Sequence, residues 1–152
     1  MKIAVFPGSF DPITTGHTDI VYRVLPLFDK IVVAIGVNDN KKTLFPLEQR
    51  MGWLKEVFRD EEQIVVDYFQ GLTVDYCRKI GAHFLVRGLR SAADFDYEKT
   101  ISQVNTTIGD KLETVFLISQ PKYSHISSTI VREIIKAGGN ASQFLPPEIK
   151  IP

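Results

Sequence analysis

The sequence predicts an α/β fold of one domain, residues 1–152, built on a doubly wound, five-stranded parallel sheet. Short β-branched runs recur along the chain, several of them apolar at nearly every position, as strands covered on both faces must be. The segments between them carry apolar residues at helical spacing. Alternation of the two implies right-handed βαβ connections.

Each element has its own warrant. Strands are expected over Lys2–Phe6, Lys30–Val37, Gln63–Tyr68, His83–Arg87 and Glu113–Ile118. From His17, the residues Ile20, Val21, Val24 and Leu25 share a helix face, and Pro26 signals its end. Pro46 suits the first turn of a second helix running to about Phe58, with Leu47, Met51, Leu54 and Phe58 inward. Gly71 to Ile80 is a third, closed by Gly81. Ser91 to Ile108 is a long fourth, with Phe95, Ile101, Val104 and Ile108 turned to the core. Ser128 to Ala137 is the fifth, ended by Gly138-Gly139.

Composition narrows the class. Hydrophobic residues make up 44% and charged ones 24%, as in soluble globular proteins. Lys plus Arg equals Asp plus Glu at 18 each, so no global basic field points to nucleic acid or a membrane surface. Cys77 is the single cysteine, which excludes an internal disulfide and a cysteine zinc cluster, and it reads as a core residue. The N-terminus lacks the apolar stretch of a signal peptide, and no run approaches the ~18 apolar residues of a membrane span, so a cytoplasmic location is expected.

Ligands of open parallel sheets bind beyond the carboxyl ends of the strands. The segments expected there are Gly8-Ser9-Phe10-Asp11-Pro12, Asn38 to Thr43, Gln70-Gly71-Leu72-Thr73, Arg87-Gly88-Leu89-Arg90, and Tyr123 to Thr129. Glycines, hydroxyls, four cations and a histidine thus converge on one end, a set suited to a polyanion such as a nucleotide phosphate. Neither Gly-x-Gly-x-x-Gly nor a Walker A loop is present. No carboxylate pair or metal-ligand cluster stands out, and Asp11 before Pro12 reads as a turn residue.

Gly8-Ser9-Phe10-Asp11-Pro12-Ile13-Thr14-Thr15-Gly16-His17 resembles the strand-to-helix signature of the nucleotidylyltransferase superfamily, a Rossmann-like fold. Ile126-Ser127-Ser128-Thr129-Ile130-Val131-Arg132-Glu133 resembles its second signature. Arg87 to Glu98 closely resembles the segment characteristic of bacterial phosphopantetheine adenylyltransferases, and Lys41-Lys42, Leu47-Glu48-Gln49-Arg50 and Phe144-Leu145-Pro146 also match.

The resemblance implies adenylyl transfer from ATP to 4'-phosphopantetheine, giving dephospho-coenzyme A and pyrophosphate in coenzyme A biosynthesis. It implies catalytic roles for His17, Lys41 and Arg90. ATP contacts are implied at Ser9, Phe10, His17, Gly88, Leu89, Arg90, Glu98, Tyr123, Ser124, His125, Ile126, Ser127, Ser128 and Thr129. Acceptor contacts are implied at Ser9, Lys41, Leu72, Thr73 and Arg87. It further implies Mg2+ carried mainly by the ATP phosphates, feedback by coenzyme A, a homohexamer, and relatives running slightly beyond Pro152. Two positions depart from the pattern: His125 stands where an aromatic such as Phe is usual, and Thr73 where a larger apolar residue is common. A cytidylyltransferase, a pyridine mononucleotide adenylyltransferase and a non-catalytic nucleotide sensor remain the competing readings.

Overall fold

A computed structural model describes all 152 residues. The strands are β1 (Ile3–Gly8), β2 (Lys30–Val37), β3 (Ile64–Gln70), β4 (Phe84–Leu89) and β5 (Glu113–Ile118). The helices are α1 (Thr15–Val24), α2 (Leu47–Val57), α3 (Thr73–Ile80), α4 (Ala92–Ile108) and α5 (Ser128–Lys136), with three short 3-10 turns between and after them. All pairings are parallel, in the order β3-β2-β1-β4-β5. The chain therefore winds outward from β1 to β3, returns beside β1 as β4, and winds outward again. The crevice between β1 and β4 is the switch point of the sheet.

Strand alternation feeds two cores. Ala4, Phe6, Ile31, Val33, Ile35 and Val86 point to one face, where Ile20, Val21 and Val24 of α1, Leu54 and Val57 of α2, and Val131 of α5 cover them. Val5, Val32, Ala34 and Leu85 point to the other, against Val74, Tyr76 and Cys77 of α3 and Leu112. Cys77 is 1% exposed, as its place in the sequence suggested. Gly81 adopts the left-handed conformation (φ 74°) that ends α3, and its N–H returns to the Arg78 carbonyl. Pro46 stands one residue before α2, at its N-cap position, where its missing N–H costs nothing. The third helix starts at Thr73, two residues later than expected, because Gly71 takes a positive φ of 84°.

One expectation is overturned. Phe95, Val104 and Ile108 do not face the core: they are 44%, 51% and 46% exposed, and only Ile101 of that set is partly covered. The inward face of α4 instead carries Glu98, Ser102 and Asn105, which line a cavity with the sheet. Helical periodicity shows an apolar stripe but not which way it turns. Arg87 of β4 draws Glu98 inward through an ion pair and so sets the rotation of the helix.

The end of α4 is held tightly. A methyl group at Gly109 would lie 2.5 Å from the Asn105 carbonyl oxygen and 3.0 Å from Val74 Cγ1. Gly109→Ala is expected to cost about 1–3 kcal/mol, lowering Tm by roughly 3–10 °C in a thermal melt.

Candidate functional site

Gly8 ends β1, and the chain turns at Phe10, whose φ of 46° is uncommon for a non-glycine residue. Burial holds it there: the ring is 3% exposed and meets Phe6 and His17 edge-on, with centroids 5.5 and 5.0 Å apart. Thr14 then caps α1, and its backbone N–H donates to His17 Nδ1 at 3.0 Å. A nitrogen that accepts cannot carry the proton, so the neutral imidazole holds its hydrogen on Nε2. Burial, reinforced by the positive charges of Arg87 and Arg90, pushes the His17 pKa down to about 4. At neutral pH His17 is thus an uncharged donor at a helix N-terminus, where the helix dipole favours an anion.

Two cavities adjoin at the carboxyl end of the sheet. The first, about 300 Å³, opens over the switch point. Of the residues singled out in the sequence, Ser9, Phe10, His17, Lys41, Arg87, Gly88 and Arg90 line it on the strand side. Tyr123, Ile126, Ser127, Ser128 and Thr129 line it from the segment entering α5. Leu89, Ser124 and His125 lie outside this lining. Leu89 is turned into the protein at 8% exposure, and the Ser124 hydroxyl donates to the Pro121 carbonyl. His125 is exposed and meets only the edge of Phe144, 6.2 Å between centroids.

The second cavity, about 280 Å³, lies between β4, α3 and α4. Thr73 and Glu98 line it together with Ser102, Asn105 and Thr114, while Leu72 lies outside at 58% exposure. Glu98, read from the sequence as a nucleotide contact, therefore stands on this side of the site. Pro7, Gly8, Ser9 and Arg87 belong to both cavities. At this junction Lys41 Nζ donates to Ser9 Oγ at 3.0 Å. Arg87 donates from Nη1 to the Pro7 carbonyl (2.7 Å) and from Nη2 and Nε to the Glu98 carboxylate (2.6 and 3.1 Å). Arg90 is more open, its guanidinium 3.5 Å from Asp94.

The hydroxyls at the start of α5 are partly committed. Ser127 caps the helix by accepting from the Ile130 N–H, and Ser128 donates to the Pro12 carbonyl at 2.7 Å. Their contribution is to fasten the β1–α1 loop to α5 as well as to line the cavity. Three further residues shape the site without having been assigned a part. Arg132 lines the first cavity and donates to the Asp11 carbonyl at 2.8 Å. Asp11 is more than a turn residue: it is 2% exposed and accepts the backbone N–H groups of Leu44 and Phe45, both at 2.9 Å. Arg50, 5% exposed, donates to the carbonyls of Ser9 and Phe45. Arg132 sits within a quoted motif and could have been read as a further cation. The roles of Asp11 and Arg50 depend on contacts more than thirty residues away in Asp11's case and forty in one of Arg50's.

The site is thus a cationic cleft with two lobes, one beside a neutral imidazole and a helix N-terminus, the other lined largely by small polar groups. The chain as a whole is similar to known proteins. Residues 5–134 fit the family model described as cytidylyltransferase-like. The phosphopantetheine adenylyltransferase of Flavobacterium psychrophilum is 49% identical, with 99% of each chain aligned. That of Geotalea daltonii is 47% identical over 99% of this chain and 93% of its own. Among solved structures, a bifunctional NMN adenylyltransferase/ADP ribose pyrophosphatase from Francisella tularensis superposes with a TM-score of 0.73 over 95% of this chain. This chain spans 44% of that protein, and at 18% identity the likeness is one of fold. By the full-length relatives and the family model together, the chain belongs to the phosphopantetheine adenylyltransferase family, within the cytidylyltransferase-like group.

Proposed function

We propose that this chain transfers the AMP unit of ATP to the phosphate of 4'-phosphopantetheine, giving dephospho-coenzyme A and pyrophosphate. The observation that carries the reading is the junction of two cavities at Ser9 and Arg87, with Lys41 and His17 beside it. A nucleotide occupies the lobe at the α1 and α5 N-termini, and the pantetheine arm lies along Thr73, Ser102 and Asn105. The acceptor phosphate then meets the α-phosphate of ATP where the lobes join.

An acceptor phosphate oxygen attacks the α-phosphorus, the bond to the bridging α–β oxygen breaks, and pyrophosphate leaves with the electron pair. The nucleophile is already ionised near neutrality, since a phosphate monoester has its second pKa at about 6, so no general base is needed. Ser9, Lys41 and Arg87 hold the acceptor phosphate. His17 donates from Nε2 to the α-phosphoryl oxygens, and Arg90 with the Ser127–Thr129 segment holds the rest of the triphosphate. Preorganised donors of this kind act most strongly as charge builds in the transition state. The first cavity is lined by cations and hydroxyls with no carboxylate, which fits a magnesium ion held by ATP's own oxygens and water. Such an ion supplies neutralisation of the triphosphate and orientation of the leaving group.

Coenzyme A shares the pantetheine arm and the adenylyl unit, so it competes for both lobes. The exposed stripe of Tyr97, Val104 and Ile108 on α4 supports self-association, and six copies follow the family. No helix is long and apolar enough to cross a membrane, and with small water-soluble substrates the enzyme acts in the cytoplasm.

Incubation with ATP, magnesium and 4'-phosphopantetheine is expected to release pyrophosphate and yield dephospho-coenzyme A by mass detection, with CTP and nicotinamide mononucleotide inactive as substitutes. Product from a substitute alone would overturn the specificity, and ATP binding without any turnover would favour a sensor. His17→Ala is expected to lower kcat by about 10²–10³-fold with little change in ATP affinity. Equal loss of binding and turnover would remove the transition-state role.

The His17 pKa also makes a stability prediction. Above pH 6.5 the imidazole is neutral in both folded and unfolded chains and contributes no pH dependence. As pH falls from 6.5 toward about 4, the unfolded chain takes up a proton that the folded one refuses, so stability declines over that window. The loss is at most about 3 kcal/mol, from the size of the shift. Urea unfolding at pH 7.5 and pH 5 should show a smaller decline for His17→Gln than for the parent.

A further inference from the structure

We propose that Arg50 is a positioning residue, one that sets where the Ser9 hydroxyl and the Lys41 ammonium stand without touching either substrate. The inference rests on the adenylyl-transfer reading above. Arg50 comes from the first turn of α2 and is 5% exposed. Its Nη1 donates to the Ser9 carbonyl at 2.8 Å and its Nε to the Phe45 carbonyl at 3.0 Å. Those two carbonyls belong to different loops, one following β1 and one following β2.

The Phe45 backbone is gripped on both sides of its α-carbon. Asp11 takes its N–H through Oδ1, and Arg50 supplies a donor to its carbonyl. Asp11 also takes the Leu44 N–H, so the loop carrying Lys41 is tied to the loop carrying Ser9 by two buried charged side chains of opposite sign. At the open end of the same two loops, Lys41 Nζ reaches Ser9 Oγ at 3.0 Å. The buried ties therefore fix the spacing of the two groups that face the acceptor phosphate.

A guanidinium suits this task because its planar fork holds two acceptors at a set distance. Lysine can hold only one of the two carbonyls; that of Phe45 would keep the Thr43 hydroxyl as a donor (2.9 Å), so what lysine loses is the tie between the loops. Burial lowers the Arg50 pKa, opposed by the nearby Asp11 charge. A buried ion of this kind is weak evidence for stability alone, since apolar replacements often fold as well. What an apolar residue could not do is tie one loop to the other.

The test is steady-state kinetics of the full chain with ATP and 4'-phosphopantetheine for the parent, Arg50→Lys, Ser9→Ala and the double variant. Arg50→Lys is expected to lower kcat about 10–10²-fold, the size of effect that small misplacement produces. The ATP dissociation constant by calorimetry should change less than about threefold. Because Arg50 acts through Ser9 and Lys41, its effect in the Ser9→Ala background should shrink by about threefold or more. Independent, multiplicative effects, or a kcat for Arg50→Lys within about twofold of the parent, would overturn the proposal. If Arg50→Lys does not fold, Asp11→Asn, which loosens the Phe45 backbone on its other side, is read in the same cycle. A parent chain that makes no dephospho-coenzyme A sinks the reading beneath; a working parent with a kinetically silent Arg50→Lys sinks this inference alone.

Discussion

The side-by-side pairing of β1 and β4 is the constraint from which the rest follows. The chain leaves these neighbouring strands in opposite directions, so their carboxyl ends open into a crevice that no connection crosses. Into it come the loop after β1, the end of β4 and, from the far end of the chain, the start of α5. Gly88 contributes to the closeness: a methyl group there would stand 3.1 Å from Ile20 of α1. The helix that carries His17 is thereby pressed against the strand that leads to Arg90.

A chain with no net charge concentrates positive charge at this one place. Lys41, Arg87, Arg90 and Arg132 all border the first cavity, and the carboxylates near them are occupied in specific pairs. Glu98 is the most telling. Its ion pair with Arg87 is half-buried and forked, which makes it more than a screened surface contact. It orients one edge of the guanidinium while another donates to the Pro7 carbonyl. His17 sits within this cationic field, which adds to the burial that keeps it neutral.

The parts of the molecule legible in the sequence are those whose signals are local. The strand-to-helix turn from Gly8 to His17, the start of α5 at Ser128 and the αL glycine at position 81 each depend on neighbours a few residues away. Strand boundaries erred by up to two residues, because β1, β3 and β4 carry on past their apolar runs through Gly8, Gln70 and Leu89. The facing of α4 was misread because its apolar stripe and its polar cavity wall have the same period, and only Arg87 across the gap chooses between them. Asp11 and Arg50 were undervalued for a related reason. Their partners are backbone groups of distant loops, and backbone groups leave no mark on a sequence.

Cys77 has a consequence of its own. It lies one helical turn beyond Thr73, which lines the lobe assigned to the pantetheine arm, yet is 1% exposed with its thiol pushed up to about 11 by burial. Pantetheine itself ends in a thiol, and its disulfide form can exchange only with a thiolate that reaches it. The chain's single cysteine meets neither condition. The chain's one thiol is thus kept, by its place in the core, from exchange with the disulfide form of a thiol-bearing substrate.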